Sequence, residues 1–453
     1  GVGETPGVAP GMATPSLVAS TADMPVAYRS MIYDRPGKAG PGVGETPGVA
    51  PGMATPSLVA STADMPVAYR SMIYDRPGQA GPGEGETIAN HGRALFIDTA
   101  YWRLGPVLGA AMKSRLFLIP FTLLLLLILS ACDDAQQRLS ALSGPTMGTT
   151  WSVKFTGSPR DGIPALKTEL EAALEQVNQE MSTYRPDSDL SRFNQAEAGT
   201  VQTLPEDFAK VLAAALKLSG DTNGAYDVTV GPLVNLWGFG PDPDRFEPPA
   251  DEDVQAALRR IGWQRLTLQG REATQPGGLY VDLSSIAKGF GVDKLAGVLK
   301  EAGISNYLVE VGGELVASGT KPYGQPWRVA IERPEVGKRE VEKVLKLHDI
   351  AIATSGDYRN FFEEDGKLFS HTIDPRTGYP VTHHLASVTV LHESCMMADA
   401  LATALTVLGP EEGVAFAREH ELPVLFIVRT NEGPKEILTP AFQAVLDSQK
   451  QEK

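Results

Sequence analysis

Asp399 and Thr403 stand four residues apart in the run Ala398-Asp399-Ala400-Leu401-Ala402-Thr403, a spacing that puts both on one face of a helix. One carboxylate and one hydroxyl, completed by water or phosphate oxygens, are how Mg²⁺ is commonly held. A carboxylate near a helix N-terminus, with a threonine bonding back one turn, gives the same letters. Val281-Asp282-Leu283-Ser284-Ser285-Ile286-Ala287-Lys288-Gly289 reads as a strand giving way to a helix through two capping serines. Free N–H groups there, with Lys288 one turn in, would favour an anion; a capped turn with a solvated lysine is the plainer reading. Gly312-Gly313-Glu314 lies between two apolar strands and marks either close approach of a ligand or a hairpin turn. The loop from Ser370 to Gly378 packs His371, Asp374, Arg376 and Thr377 together, the density of functional groups that sites on loops carry. Asp374 capping a structural turn would account for it equally. Finally, the stretch from Ala225 to Gly240 is rich in aromatics, Gly and Pro, an apolar wall for a planar ligand or a piece of core.

The hydrophobic periodicity supplies elements to position these groups. Leu166, Leu170, Leu174, Val177 and Met181 share one stripe of a helix spanning Ile163–Met181. Trp151, Val153 and Phe155 alternate in a strand over Thr149–Phe155. Further helices are expected near Pro205–Leu218, Asp251–Ile261, Ser285–Ala302, Met396–Leu408 and Pro410–Glu419. Strands are expected near Arg265–Leu268, Leu279–Asp282, Tyr307–Val311, Leu315–Ser318, Trp327–Glu332, Ile350–Thr354, Leu368–Ile373, Ser387–Leu391 and Pro423–Val428. Strands neighbour one another as often as they alternate with helices. The fold class is therefore α+β, mixed or antiparallel sheets flanked by helices in one domain over about 144–447. Asp399 is expected in a surface cleft, contributing little to packing.

Ahead of this domain, Met112-Lys113-Ser114-Arg115 precedes an apolar run to Leu129 and the lipobox Leu129-Ser130-Ala131-Cys132. A basic start, a short apolar stretch and small residues before a cysteine form a bacterial lipoprotein signal over 112–131, with Cys132 as the lipidated residue. Residues 132–143 read as a tether, and Asp133 resembles the signal for inner-membrane retention in Gram-negative bacteria, facing the periplasm. Residues 1–41 recur as 42–82 with Lys38 replaced by Gln79. This Gly/Pro-rich unit lacks periodicity and reads as disordered. Because a signal must lead the nascent chain, translation is expected to start at Met112, which makes 1–111 a gene-model artefact.

The 453-residue chain has a net charge of −15, which argues against nucleic acid as a partner. Its two cysteines are Cys132 and Cys395; with the first lipidated, no intrachain disulfide is expected.

In order, the lipobox, MGTTWSVK (Met147–Lys154), MSTYRPDSDLSRFN (Met181–Asn194), AYDVTVGPLVNLWGFG (Ala225–Gly240), VDLSSIAKGF (Val281–Phe290), VEVGGEL (Val309–Leu315), SHTIDPRTGYPV (Ser370–Val381) and ADALATAL (Ala398–Leu405) closely resemble the ApbE family. The likeness covers about 140–445; Tyr226 and Val228 stand where Phe and Pro are common, both mild departures. Members are FAD:protein FMN transferases, formerly described as thiamine-biosynthesis lipoproteins. The resemblance implies Mg²⁺-dependent transfer of FMN from FAD to a threonine hydroxyl of a flavoprotein subunit in a sodium- or proton-linked respiratory redox complex, with AMP released. It places the metal on Asp399 and Thr403, with Ser285 or the Ala287 carbonyl. It places FAD on Met181, Ala225, Tyr226, Asp227, Asp282, Lys288 and Ile373, and the Gly312-Gly313-Glu314 turn joins them as a ligand approach. His371 is the favoured base, since an imidazole of ordinary pKa ~6.5 exchanges protons near neutrality; Asp282 is the second choice. A non-catalytic flavin-binding lipoprotein of the periplasm and an FAD pyrophosphatase are the competing readings.

Overall fold

The computed structural model describes residues 138–241, 248–334, 340–356, 361–364 and 367–451. The repeats, the signal segment, Cys132 and Asp133 lie outside the described residues. In chain order the elements are β1 (Leu139–Thr146), β2 (Thr149–Thr156), α1 (Ile163–Met181), α2 (Asp189–Gln195), β3 (Gln202–Thr203), α3 (Glu206–Asp221), α4 (Gly231–Leu236), α5 (Asp251–Leu258), β4 (Thr267–Gln269) and β5 (Glu272–Thr274). There follow α6 (Ala287–Glu301), β6 (Asn306–Val311), β7 (Glu314–Ser318), β8 (Trp327–Glu332), β9 (Val341–Leu347), β10 (Ile350–Gly356), β11 (Phe361–Glu364) and β12 (Lys367–Ser370). The chain closes with β13 (Leu385–His392), α7 (Cys395–Glu419), β14 (Val424–Thr430), β15 (Gly433–Leu438) and α8 (Pro440–Gln451).

Eight strands form one sheet in the order β1-β2-β6-β7-β10-β13-β14-β15, and each neighbouring pair is antiparallel. Both faces are covered. Trp151, Val153 and Phe155 of β2, with Tyr307, Val309 and Val311 of β6, pack on Leu166, Leu170 and Leu174 of α1 and Leu295 and Leu299 of α6. Each such leucine contributes about 1.5–3 kcal/mol by leaving water. On the other face Leu308 and Ile352 meet Trp327, Val329 and Ile331 of β8, Leu345 of β9 and Phe442 of α8. The separate β8–β9 ribbon is held by that apolar face, by Trp327 Nε1 donating to Ser318 O, and by hydrogen bonds between Lys346 of β9 and Gln449 of α8.

Several expectations change. Residues 139–143, read as tether, belong to β1, which pairs with β2 along its whole length. The strand expected at Leu279–Asp282 is a loop: Asn194 bonds both the N–H and the C=O of Val281 (2.7 and 2.8 Å), and only Tyr280 bridges, to Val230. Backbone groups satisfied by a side chain need no ladder. The strand expected to reach Ile373 ends at Ser370. α8 extends the domain past 447 to Gln451. The break expected between two helices near Pro410 is real: Gly409 leaves helical geometry at φ 77° inside α7.

Candidate active site

The site begins where α6 crosses α7. A Cβ on Gly289 would lie 2.3 Å from the Cys395 carbonyl oxygen and 2.8 Å from Asp399 Cβ, so this approach requires glycine. It lets the Gly289 N–H donate to Asp399 Oδ2 (3.0 Å) and brings Lys288 Nζ to both Asp399 oxygens (3.2 and 3.4 Å). Asp293, one turn along α6, locks the crossing by accepting from Cys395 N, Met396 N and Ser394 Oγ at the start of α7. Lys288 also reaches Glu314 Oε1 at 2.9 Å. Glu314 opens β7 just after the hairpin glycines Gly312 (φ 59°) and Gly313 (φ 106°), and a Cβ on Gly312 would meet Lys288 Cδ at 3.2 Å. The turn is a hairpin joining β6 and β7, and it borders the cavity.

Asp399 is 5% exposed, not a surface-cleft carboxylate. Burial raises its pKa against Lys288 and the Gly289 N–H. Burial pulls Lys288 down, but Asp399 and Glu314 outweigh it and hold the ammonium charged. Glu314 is pushed up to about 7, by burial first and by Asp399, with Lys288 opposing. Two carboxylates thus share one ammonium, and Glu314 Oε2 is buried without a hydrogen-bond partner. Because Glu314 is raised from its usual 4.5, its protonated form stabilises the metal-free fold below that value, and this contribution is lost as pH rises through about 7. In EDTA, Glu314→Gln is expected to flatten the fall in melting temperature between pH 5 and 8; parallel melting curves for variant and wild type would contradict the assignment.

Asp399, Thr403, Ser285, Lys288 and Glu314 line a cavity of about 430 Å³. Asp282 borders it too; its Oδ1 accepts from the Ser284 N–H (2.8 Å) and hydroxyl (2.6 Å). The Tyr226 hydroxyl meets Ser285 Oγ at 2.9 Å, and burial raises the phenol's pKa well above its usual value. Ala225, Tyr226, Asp227 and Phe239 form another part of the wall. Asp227 spends its oxygens on structure, accepting from Thr229 N and Oγ1 and from Trp263 N, and burial raises its pKa against those bonds.

His371 and Ile373 enter from the loop after β12. The His371 ring lies edge-on to Phe239, centroids 6.3 Å apart. Beyond it the loop is a small hairpin: Ile373 bridges Pro380, Gly378 N donates to Asp374 O, and Trp237 Nε1 donates to Gly378 O at 2.9 Å. Arg376 is kept charged chiefly by its bonds to Asp374 and also by Glu412. Asp374 is the structural residue of that turn, and His371 is the group it leaves at the cavity.

Thirteen of the fifteen expected ligand, metal and catalytic residues border this one cavity; Met181 and Ala287 do not. Met181 is 3% exposed, the last residue of the α1 stripe, packed with Val177, Leu190 and Phe193. Tyr184, three residues on and half exposed, takes the place at the wall. Glu310, the β8 residues Val329 to Glu332, and Thr354-Ser355-Gly356 also line the cavity and were not expected. Only the last carried a signal, small residues closing a strand.

The donor set fits a hard cation. Among the described residues no group of three His, Cys, Asp or Glu side chains is placed for a metal, so a thiolate or imidazole centre is not offered there. One buried carboxylate, flanked by hydroxyls and by a second carboxylate with an orphan oxygen, suits Mg²⁺ completed by ligand oxygens.

The domain is an antiparallel α+β fold with a charged centre at the wall of one cavity, and its relatives make it a transferase enzyme. The chain belongs to the ApbE family, whose model matches residues 147–426. It is 48% identical over 325 residues to the FAD:protein FMN transferase of Vibrio cholerae, covering 71% of this chain and 96% of the relative. It is 39% identical over 332 residues to that of Escherichia coli K12, covering 70% and 94%. The solved flavin transferase ApbE of Vibrio cholerae superposes with a TM-score of 0.64 at 48% identity, over 68% of this chain and 99% of that one. The apo flavinyl transferase ApbE of Pseudomonas stutzeri gives 0.63 at 44%, over 68% and 96%.

Proposed function

We propose that the protein is an FAD:protein FMN transferase that joins FMN to a threonine hydroxyl of an acceptor flavoprotein and releases AMP. The convergence of Asp399, Thr403, Ser285 and His371 on one cavity carries this reading, with support from near full-length relatives of that name. In the reaction the threonine oxygen attacks the FMN phosphorus and its proton passes to an imidazole nitrogen of His371. The bond to the bridging oxygen breaks, and AMP departs with that oxygen. Such phosphoryl transfer asks the protein mainly for positioning and charge neutralisation. Asp399, Thr403 and Ser285 would hold Mg²⁺, which would supply Lewis-acid neutralisation of the pyrophosphate. Lys288 fixes both carboxylates, the Ser284–Asp282 turn sets the entry to α6, and the Trp237-anchored hairpin presents His371.

The test is to incubate the protein with FAD, Mg²⁺ and a soluble acceptor domain and weigh the acceptor. A gain of one FMN with equimolar AMP is expected. Free FMN with no acceptor adduct would make the protein a pyrophosphatase; FAD bound but unchanged would make it a flavin-binding lipoprotein. We further propose anchoring through lipid on Cys132 in the inner membrane, facing the periplasm, where the acceptor would be a subunit of a respiratory redox complex. The lipobox and Asp133 support this. Cys132→Ser is expected to move the protein into the soluble periplasmic fraction with its transfer activity intact; recovery of the wild type in outer-membrane fractions would refute the location.

A further inference from the structure

Four loops gather at the end of the main sheet where β1 begins. Leu139 lies across from Thr156 of β2, Thr156 from Asn306 of β6, and the next rung of β6 meets Ser318 of β7. Hydrogen bonds tie the loops together: Arg160 N donates to Ala302 O (3.0 Å), Thr320 N to Asn306 Oδ1 (2.9 Å) and Gly319 N to Asp349 Oδ1 (3.0 Å). Of the seven large apolar side chains exposed among the described residues, three stand here: Leu139 (36%), Ile163 (42%) and Tyr323 (82%). Tyr323 is held out by a turn that Lys321 N closes on Gln325 O at 2.7 Å, and its φ is 62°. A bulky residue at positive φ is uncommon, and strain of this kind points to a use. Arg138, Arg160 and Lys300 match Asp161, Glu301 and Asp349 in number. This end is thus spared the chain's net charge of −15, which repels anionic headgroups. The Gly312-Gly313 hairpin, and with it the cavity, lies at the opposite end of β6.

We propose that this end rests on the bilayer, with Leu139, Ile163 and Tyr323 entering its headgroup layer, and that the cavity end is thereby turned away from the lipid. The inference rests on the lipidation of Cys132 proposed above. Between Cys132 and Leu139 the chain has six residues, fewer than the eight of β1 itself, so the end where β1 starts is the one held to the membrane. Tyrosine is enriched at the membrane–water interface, where its ring sits at headgroup level. The three side chains stand on separate elements with charges among them. Lipid yields round each one, whereas a protein partner, a second copy included, calls for a continuous packed patch. The six residues of β6, at about 3.3 Å each, then hold the cavity about 20 Å farther from the lipid than this end.

Tyr323→Cys and Thr150→Cys test it, the second on an exposed residue at the cavity end of β2, whose carbonyl accepts from Gly312 N. Each is made in the full chain and lipidated in cells, then labelled at the new thiol with a polarity-sensitive fluorophore. The labelled protein is reconstituted in vesicles of phosphatidylethanolamine and phosphatidylglycerol that carry shallow nitroxides. Cys395 is buried and does not compete for the label. Emission at position 323 is expected to shift to the blue and to lose most of its intensity to the nitroxides. Emission at position 150 is expected to change in neither respect. Gln325→Cys, exposed on the same turn, gives the same reading should Tyr323→Cys fail to fold. Equal quenching at both ends, or none at 323, would overturn the proposal; a blue shift at 323 without quenching would overturn it in favour of a protein partner. A mature chain with no acyl mass on Cys132 would instead remove the anchoring itself, and the proposal with it.

Discussion

Asp399→Asn is expected to lower FMN transfer by about 10³-fold or more while leaving the fold intact. The carboxamide has the shape of the carboxylate, and its oxygen can still accept from the Gly289 N–H. Lys288 keeps Glu314 as its partner. What disappears is the anionic donor for the cation, and a Lewis acid at a transferring phosphoryl group contributes several kcal/mol, about a factor of ten in rate per 1.4 kcal/mol. Alanine would be the wrong substitution, because the residue is buried and its removal strands an N–H, at about 1–3 kcal/mol of stability. Single-turnover transfer followed by acceptor mass, with wild type in excess EDTA as the matching control, checks the prediction. A chelated wild type that still transfers at nearly its full rate would reject the metal assignment.

The second large effect is expected at His371. As the acceptor of the threonine proton, its loss in His371→Ala should slow transfer by about 10²–10⁴-fold, the span of general acid–base catalysis. Affinity for FAD should change little, since the interaction is made in the transition state. The wild-type rate should fall on the acid side as the imidazole takes up a proton, and the variant should lack that limb. Loss of FAD binding in step with activity would make His371 a ligand contact and pass the base to Asp282. The Oδ1 of that residue is engaged by Ser284.

Where the physics is local, the residues alone located the element. α1 is found at Ile163–Met181 because an apolar residue recurs every three or four positions, and β8 at Trp327–Glu332 because large apolar residues recur at Trp327, Val329 and Ile331. β1 escaped notice: LSALSGPT holds few strand formers, and only its pairing with β2 makes it a strand. The motifs likewise named most of the site but not its connections. Nothing local in the letters says that Lys288 bridges Glu314 and Asp399, 111 residues further on, or that Gly289 is there to let two helices touch. Met181 lies off the cavity because its helical stripe packs it into the core. The place of β8 in the cavity wall had no local signal, since its apolar residues already read as core.

The early start of β1 limits where the enzyme can work. With Cys132 lipidated as proposed, only the six residues 133–138 separate the acyl chains from a strand that is part of the main sheet. However far they extend, six residues span no more than about 20 Å; a free segment running to 143 would have spanned nearly twice that. Such a leash would keep the catalyst at the bilayer surface and deny it the space above. On that proposal its clients would have to bring their threonine down to that layer, and height above the membrane would become a criterion of selection alongside sequence.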